Sequence, residues 1–516
     1  MRYLVNSDYM KQMDEATIQT HKISQEVLME RAALEVVSSI RSLFPDIRSI
    51  VVCCGIGNNG GDGLAVARLL NLFGIHTTVW IPEHTIEKES LGFQTQHRIF
   101  RSYGFREVVL YDGALPEHEK ADLYVDALFG VGLTRTISGN YAKMIEKLNQ
   151  IDAKKLAVDI CSGVDATTGQ VLGCAFQADV TVALGYGKIG QFLWPGAEVS
   201  GEVYVRDIGI YPEQLSFPQE QLRKQGVIQA LEYPDFLQWL PVRREHSNKG
   251  TYGKVLIFAG MEGMYGAGYL AGLAAFYTGV GMVKIFCGEG NAELLRQNLP
   301  EAMVHSVDEV LKDTDVLQRE LQWADSILVG PGIGQTKDSE DLLCKLFLYN
   351  SSPMVLDADG LNIISHHKEL LREATFPIVL TPHLGEMGRL TGYPVSYIQT
   401  HLIEVACEFA RAYGVQCVLK DFRTIVALPD GITYINLCGN NGMATAGSGD
   451  VLAGVIGGFL AQKKDFENAG VCAVFLHGTA GDRARMKYGT RSMTSRDIAG
   501  EIREFLKEIE INHERI

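Results

Sequence analysis

Three stretches of the 516-residue sequence gather side chains that can do chemistry. The first is GIGNNGGDG, residues 55–63, directly after the apolar run IVVCC. Asn58, Asn59 and Asp62 stand there among Gly60, Gly61 and three further glycines. A strand that turns tightly into a helix offers unpaired amides and a partial positive charge, so phosphate is its natural ligand. The spacing is not the GxGxxG of ordinary dinucleotide loops. The second is a pair of strand ends. DALFG places Asp126 before another glycine loop, Gly130-Val131-Gly132-Leu133-Thr134-Arg135-Thr136, and AVDICSGVD ends an apolar run in Asp159 and Ser162. Asn59, Asp126, Asp159 and Ser162 can offer oxygen ligands, which suit a hard cation rather than zinc or copper. A strand-end carboxylate such as Asp159 can act as general acid or base. The other reading of Asp126 and Asp159 is that they cap helices. The third stretch is NGMATAGSGDVLAGVIGGFL, where Gly447, Ser448 and Gly449 precede Asp450 and a helical pattern. Amides at that helix start can hold a phosphoryl group while Asp450 takes a proton from an attacking hydroxyl.

Positioning such groups needs strands that deliver them to one edge. SIVVCCG, HTTVWIP, ADLYVDALFG, KLAVDICSG, ADVTVALG and GEVYVRDIG alternate with helical patterns, which predicts βαβ units and a mostly parallel sheet. Two helices are expected between residues 10 and 44, with Ser24 as an N-cap. After Gly209 the pattern breaks into a Pro- and Gln-containing segment read as a linker. A second series follows: KVLIFAG, GMVKIFC, DSILVGPGIG, PMVLDADG, FPIVLTPHLGE, VQCVLKD and RTIVALPDGITYIN, the last a hairpin signal around Pro429-Asp430-Gly431. The expected fold class is α/β: a Rossmann-like three-layer α/β/α domain over residues 1–212, a linker over 213–226, and a second α/β domain over 227–516. Ligands of open α/β sheets sit beyond the carboxyl ends of strands, so Asn59, Asp126, Asp159 and Ser162 can converge in one crevice.

Composition bounds the partners. The net charge of −15 argues against nucleic acid and anionic membrane surfaces. Ten cysteines without a CxxC pair read as reduced, mostly buried thiols in a cytoplasmic protein. The N-terminus has acidic residues early and no apolar core, so no signal peptide is expected. Residues 263–283 carry no charge, but six glycines and a TGVG stop predict a small-residue helix against a sheet, not a membrane span.

GNNGGDG, DALFG and VDICSGVD resemble the N-terminal epimerase domain of the NAD(P)H-hydrate repair enzymes, over about residues 10–210. NKGTYGKVLIFAG, GPGIG (330–334), LDADGLN (356–362), LTPHLGE (380–386), LKDFRT (419–424) and AGSGD resemble the ribokinase-like, ADP-dependent dehydratase domain of the same family, over about residues 227–510. In the epimerase half, the resemblance implies that Asn58 to Asp62, Gly130 to Thr136, Tyr141 and Asp159 contact the hydrate. It also implies that potassium sits on Asn59, Asp126 and Ser162. In the dehydratase half it implies hydrate contacts at Ala267, Gly268, Gly334, His383 and Asp450. ADP contacts are implied at Lys420, Asp421, Phe422, Arg423, Thr424 and Gly449, with magnesium on the phosphates. Cys161 stands where the family usually has proline, Asp421 where it mostly has glycine, and Ala446 where it often has glycine. His383 has a second reading, as a helix cap, and Glu386 either orients it or belongs to the helix.

The chemistry implied has two parts. Hydrated NADH and NADPH, here NADHX and NADPHX, carry a hydroxyl at C6 in R and S forms. Interconverting them needs loss and re-addition of water or ring opening, both proton-transfer problems. Hydroxide leaves poorly, so the second part phosphorylates the C6 hydroxyl from ADP and eliminates phosphate. Asp450 is then the base, and the products are NAD(P)H, AMP and phosphate. A homo-oligomer is expected. The rival enzyme reading is a ribokinase-like vitamin kinase for hydroxymethylpyrimidine or pyridoxine, with the first half a non-catalytic scaffold.

Overall fold

The computed structural model describes every residue except 117–119, 211–221, 223–225, 463–465 and 514–516. Most of the expected linker therefore lies outside the described residues. The chain forms two compact units, residues 3–228 and residues 229–516 together with Met1 and Arg2.

The N-terminal unit opens with two helices, α1 (Ser7–Gln19) and α2 (Gln25–Leu43). Ser24 occupies the N-cap of α2, but its side chain makes no capping hydrogen bond, so it marks the turn without closing it. A seven-stranded, wholly parallel sheet follows. Its strands are β1 (Ser49–Cys54), β2 (His76–Pro82), β3 (Glu107–Leu110), β4 (Leu123–Ala127), β5 (Lys154–Val158), β6 (Val180–Leu184) and β7 (Glu202–Arg206). They lie in the order β3-β2-β1-β4-β5-β6-β7. Strand order reverses between β1 and β4, and α3 (Asn58–Leu72) leaves from that switch point, where an open sheet makes its crevice. Apolar clusters cover both faces: Leu64, Ala65 and Leu70 on one, Trp80, Met144 and Phe176 on the other.

The C-terminal unit is a larger sheet. Nine of its strands are β8 (Lys254–Phe258), β9 (Met282–Cys287), β10 (Met303–Ser306), β11 (Ser326–Val329), β12 (Met354–Leu356), β13 (Ile378–Leu380), β14 (Gln416–Leu419), β15 (Ile425–Ala427) and β16 (Thr433–Ile435). They run β10-β9-β8-β11-β12-β13-β14-β15-β16, parallel up to β14 and antiparallel after it. β15 and β16 are the hairpin expected at Pro429-Asp430-Gly431.

The uncharged stretch 263–283 holds helix α4 (Tyr265–Tyr277), buried against α6 (Ser448–Ala461). Glycine sets that contact. A Cβ at Gly454 would stand 2.2 Å from the Ala271 carbonyl oxygen, and one at Gly458 would stand 2.2 Å from the Thr278 hydroxyl. Among the described residues no helix is long and apolar enough to cross a membrane. All ten cysteines are free thiols, Cys344 being exposed and the others buried or partly so.

Candidate functional site

The N-terminal crevice is built by three strand ends. β4 delivers Asp126, fully buried, into a set of donors: Ser162 N–H to Oδ2 at 2.7 Å, Ser162 Oγ–H to Oδ1 at 2.7 Å and Leu128 N–H to Oδ1 at 3.1 Å. Burial nevertheless pushes its carboxyl up to about 6. Ser162 Oγ accepts in turn from the Phe129 amide at 2.8 Å. Asn59, in the first turn of α3, donates Nδ2–H to the Phe129 carbonyl at 3.0 Å, while its buried Oδ1 has no partner. Orphaned buried acceptors are costly unless something outside the chain satisfies them. Asn59, Asp126 and Ser162 are thus brought together, whereas Asp159, expected in the same crevice, turns to a separate cavity, and neither aspartate caps a helix: Asp126 holds the Leu128–Ser162 turns.

Asp159 has a left-handed backbone, φ +68°, rare for a side-chain-bearing residue. Its Oδ1 accepts from the Leu184 amide at 3.0 Å and from the Lys188 ammonium, which is fully buried. Lys188 also donates to the Leu184 carbonyl at 2.9 Å, and Gln191 Nε2 donates to the Asp159 carbonyl at 2.8 Å. A cavity of about 130 Å³ opens beside this carboxylate, lined also by Asp14, Asn58 and Asp62. Burial, and then the charge of Asp159, pushes Asp14 up to about 7; Asp62 is pushed well above its ordinary range by the same two causes.

The remaining residues of this half divide. The glycines of the first loop serve the main chain before any ligand. A Cβ at Gly55 would stand 1.9 Å from the Leu128 carbonyl oxygen and one at Gly60 would stand 1.7 Å from that of Gly55, so backbone is packed on backbone. Gly61 is tight against Met29 Cε at 3.0 Å. Only Gly57 faces open space, so of the five glycines it alone leaves room for a close ligand approach. In the second loop Gly130 rests on Asn59 and Gly132 is open, whereas Thr134, Arg135 and Thr136 are exposed. Leu133 is buried in an apolar cluster and Val131 packs against it, so their side chains hold the loop and do not face solvent. The Tyr141 ring packs tilted against Phe129, centroid to centroid at 4.8 Å. Neither this loop nor Tyr141 lines the small cavity.

The C-terminal unit has a cavity of about 730 Å³ at the ends of β12, β13 and β14 and the start of α6. His383, Lys420, Asp421, Phe422, Thr424, Gly449 and Asp450 line it. Asp450 stands in the first turn of α6, whose N-cap Gly447 is left-handed at φ +85°. Burial, and then the charge of Asp357, pushes Asp450 up to about 6. Lys420 Nζ donates to Asp357 Oδ1 at 2.9 Å, and a Cβ at Gly449 would stand 3.4 Å from that Nζ, so a close approach is kept open between them. His383 stands where both readings of it can apply. It lines the cavity and it caps α5 (Leu384–Thr391), Nδ1 accepting from the Gly385 amide at 2.9 Å while Glu386 returns a carboxylate to the His383 amide at 2.8 Å. Burial, with Lys420 and Arg389 nearby, lowers its pKa, and burial pushes Glu386 up to about 6.

Four expected residues stand off this lining. Arg423 turns away: Nη1 donates to the Leu437 carbonyl at 2.5 Å and its guanidinium lies 4.8 Å from the Phe422 ring centre. Ala267, Gly268 and Gly334 form a separate group at the second unit's own switch point, beyond β8 and β11. There Ala267 Cβ lies 3.3 Å from a Cβ built on Gly332, and the Gly334 amide donates to Asp359 at 2.9 Å. The sequence reading missed Asp14, Lys188, Asp357 as a partner of Lys420, and buried His477, whose pKa burial lowers to about 4. Only Asp357 had a signal, its place in LDADGLN.

Two family profiles match. One described as NAD(P)H-hydrate dehydratase covers residues 255–504, and one described as YjeF-related protein N-terminus covers residues 25–190. The chain is 37% identical over 494 residues to a bifunctional NAD(P)H-hydrate repair enzyme of Thermofilum pendens, covering 94% of this chain and 92% of that one. It is 36% identical over 518 residues to the enzyme of the same description from Moorella thermoacetica, covering 98% and 96%. Among solved structures, a ribokinase-like superfamily protein from Enterococcus faecalis is 27% identical, with a TM-score of 0.50, and covers 58% of this chain and 99% of that one.

Proposed function

Because the chain belongs to the bifunctional NAD(P)H-hydrate repair enzymes, an epimerase and an ADP-dependent dehydratase in one polypeptide, we propose that its two units divide the repair, the N-terminal cavity at Asp159 exchanging R and S hydrates and the C-terminal cavity at Asp450 dehydrating the S form. The observation that carries this is Asp450 itself: a carboxylate in the first turn of a helix, in a cavity large enough for a nucleotide, raised to about 6 so that it accepts a proton near neutrality.

Lys420, Asp421, Phe422 and Thr424 hold ADP, and the α6 amides hold the phosphoryl group in transfer. Asp450 takes the proton from the C6 hydroxyl as that oxygen attacks the β-phosphorus of ADP. The O–P bond to AMP breaks, and phosphate then leaves C6 while C5 loses a proton, taken up by the departing phosphate or by solvent, so that the C5=C6 double bond is restored. His383 and the Ala267–Gly268 and Gly334 turns contact the hydrate. Among the described residues no group of three or more His, Cys, Asp or Glu side chains could hold a metal. Magnesium therefore fits as an ion carried by the nucleotide's phosphates, where it neutralises charge.

Potassium fits Asn59, Asp126 and Ser162. The set is all oxygen, and the unpartnered Asn59 Oδ1 is an acceptor waiting for a cation or a donor. Bound there, it supplies positive charge to a buried carboxylate and ties together the two glycine loops. The protein works in the cytoplasm as a homo-oligomer on NADHX, NADPHX and ADP, with no part for nucleic acid or membrane. Purified protein given separated R and S hydrates tests the reading. S hydrate must regain the near-ultraviolet absorbance of the reduced ring only with ADP, and R hydrate must become S without nucleotide. Recovery of neither, with phosphorylation of a vitamin alcohol instead, refutes it.

A further inference from the structure

The N-terminal cavity holds more acid than one catalytic aspartate requires. Asp14 on α1 and Asp62 on α3 share its walls with Asp159. The three differ in how they are held. Asp159 is fixed by the Leu184 amide, by Lys188 and by its own left-handed backbone. Lys188 is itself locked, since Val5 pairs with it in a parallel bridge and the Leu184 carbonyl takes its ammonium. Asp14 and Asp62 receive no hydrogen bond from any described residue. Such carboxylates, on the wall of a cavity and without a hydrogen-bond partner among the described residues, are placed to serve something that enters it.

We propose that Asp14 is a second proton-transfer residue for the interconversion of R and S hydrates, working opposite Asp159, and that Lys188 is the positioning residue for the Asp159 carboxylate. The proposal rests on the assignment of this cavity to the epimerase activity. The chemistry asks for two groups. As the C6–O bond breaks, the leaving oxygen gains a proton from one carboxyl and departs as water, and the ring nitrogen's lone pair becomes the second bond of a C=N. A water then adds to the opposite face, forms the new C6–O bond and gives its surplus proton to the other carboxylate. One water is lost and one gained, nothing is oxidised, and proton exchange with solvent resets the pair. A single fixed carboxylate reaches one face of the ring; Asp14, from a different element, supplies the other.

The groups facing Asp14 are Asp159 and Lys188 across the cavity, Asp62 from α3 and Glu15 on its own helix. Burial and Asp159 raise Asp14 to about 7 while Lys188 opposes them, so it gives and takes protons at working pH. Asp62 is raised well above its ordinary range by burial and then by the charge of Asp159.

The test uses the full-length protein and pure R hydrate without ADP, following R and S by chromatography. Asp14→Asn lowers kcat by roughly 10²-fold or more, with KM within about threefold. The wild-type limb of the kcat profile near pH 7 is absent from the residual activity, and Asp14→Glu restores part of the rate. Lys188→Met lowers kcat likewise. Thermal melting and ADP-dependent conversion of pure S hydrate at the wild-type rate show that Asp14→Asn is folded. Asp14→Asn at the wild-type kcat with the limb intact, while Asp159→Asn is dead, overturns the role of Asp14 alone. A loss that leaves the pH profile unchanged and that Asp14→Glu does not relieve overturns it as well. Wild-type rates in both Asp14→Asn and Asp159→Asn overturn the assignment of the cavity, and the inference with it.

Discussion

Lys420 and Asp357 meet inside the C-terminal cavity, Nζ to Oδ1 at 2.9 Å, and the same carboxylate oxygen takes the Thr381 hydroxyl at 2.7 Å. Asp357 is 2% exposed, and among the described residues the lysine is its only counter-charge within hydrogen-bond reach. Removing one partner of a buried pair costs about 3–5 kcal/mol, whereas replacing both with apolar groups is often near neutral. Lys420→Met is therefore expected to destabilise the C-terminal unit by an amount near the low end of that range, since the lysine is partly exposed. Lys420→Met combined with Asp357→Leu recovers most of the loss in a denaturant titration. Neither variant binds ADP as the wild type does, which separates the structural role of the pair from its role at the phosphates.

Asp450, as the proposed base, is expected to set the pH dependence of dehydration. A base works ionised, and burial has moved this carboxyl from 3.8 up to about 6. The rate of ADP-dependent conversion of S hydrate is expected to be level above that value and to fall tenfold per pH unit below it. Asp450→Asn lowers the rate by roughly 10²–10⁴-fold and abolishes the limb. A wild-type rate that holds steady down to pH 5 removes Asp450 from this role.

Potassium is testable without turnover. Its binding raises the melting temperature of whatever holds it. Potassium chloride is expected to raise the melting temperature of the wild type above that in choline chloride at equal ionic strength. Asn59→Ala loses the difference because it deletes the orphaned Oδ1. An equal potassium effect in both proteins shows that the ion binds elsewhere.

Asp421 adds a carboxylate to the nucleotide cavity, and partial burial raises its pKa. Two like charges within a Debye length repel, more so at low salt. Asp421→Gly is expected to tighten ADP binding several-fold in dilute buffer, the gain shrinking as salt rises, by isothermal calorimetry. Weaker binding in the variant points instead to a contact made by the aspartate.

The features legible in the sequence are those whose signal is local. The Asn-Asn-Gly-Gly-Asp and Ser-Gly-Asp runs mark helix starts, but α3 begins at Asn58, six residues before the expected LAVARLL, and α6 begins at Ser448, so these polar runs are the first helical turns themselves; Asp126 and Ser162 meet beside Asn59. The two strands β3 and β10 were not read because four residues, partly exposed, give no clear alternation. Asp14 escaped for a different reason. It lies in an ordinary amphipathic helix 145 positions before Asp159, and only the tertiary fold aims it at the cavity. Lys188 looked like any surface lysine until the bridge to Val5 buried it. The side-chain direction of Leu133 and Arg423 was illegible for the same reason. A loop motif names its residues but not which of them turn inward.

The seam between α4 and α6 ties two recognition tasks together. Gly454 and Gly458 leave no slack between the helices, and Gly447 is pressed on Leu270 so closely that a Cβ there would stand 2.4 Å from Cδ1. The start of α4 carries Ala267 and Gly268; the start of α6 carries Gly449 and Asp450. Helices seated this way tilt as one plank. If a ligand that settles one end lowers the entropic cost of settling the other, ADP and hydrate are expected to bind with positive cooperativity, each raising the other's affinity by the same factor, which calorimetry of each ligand with and without the other checks.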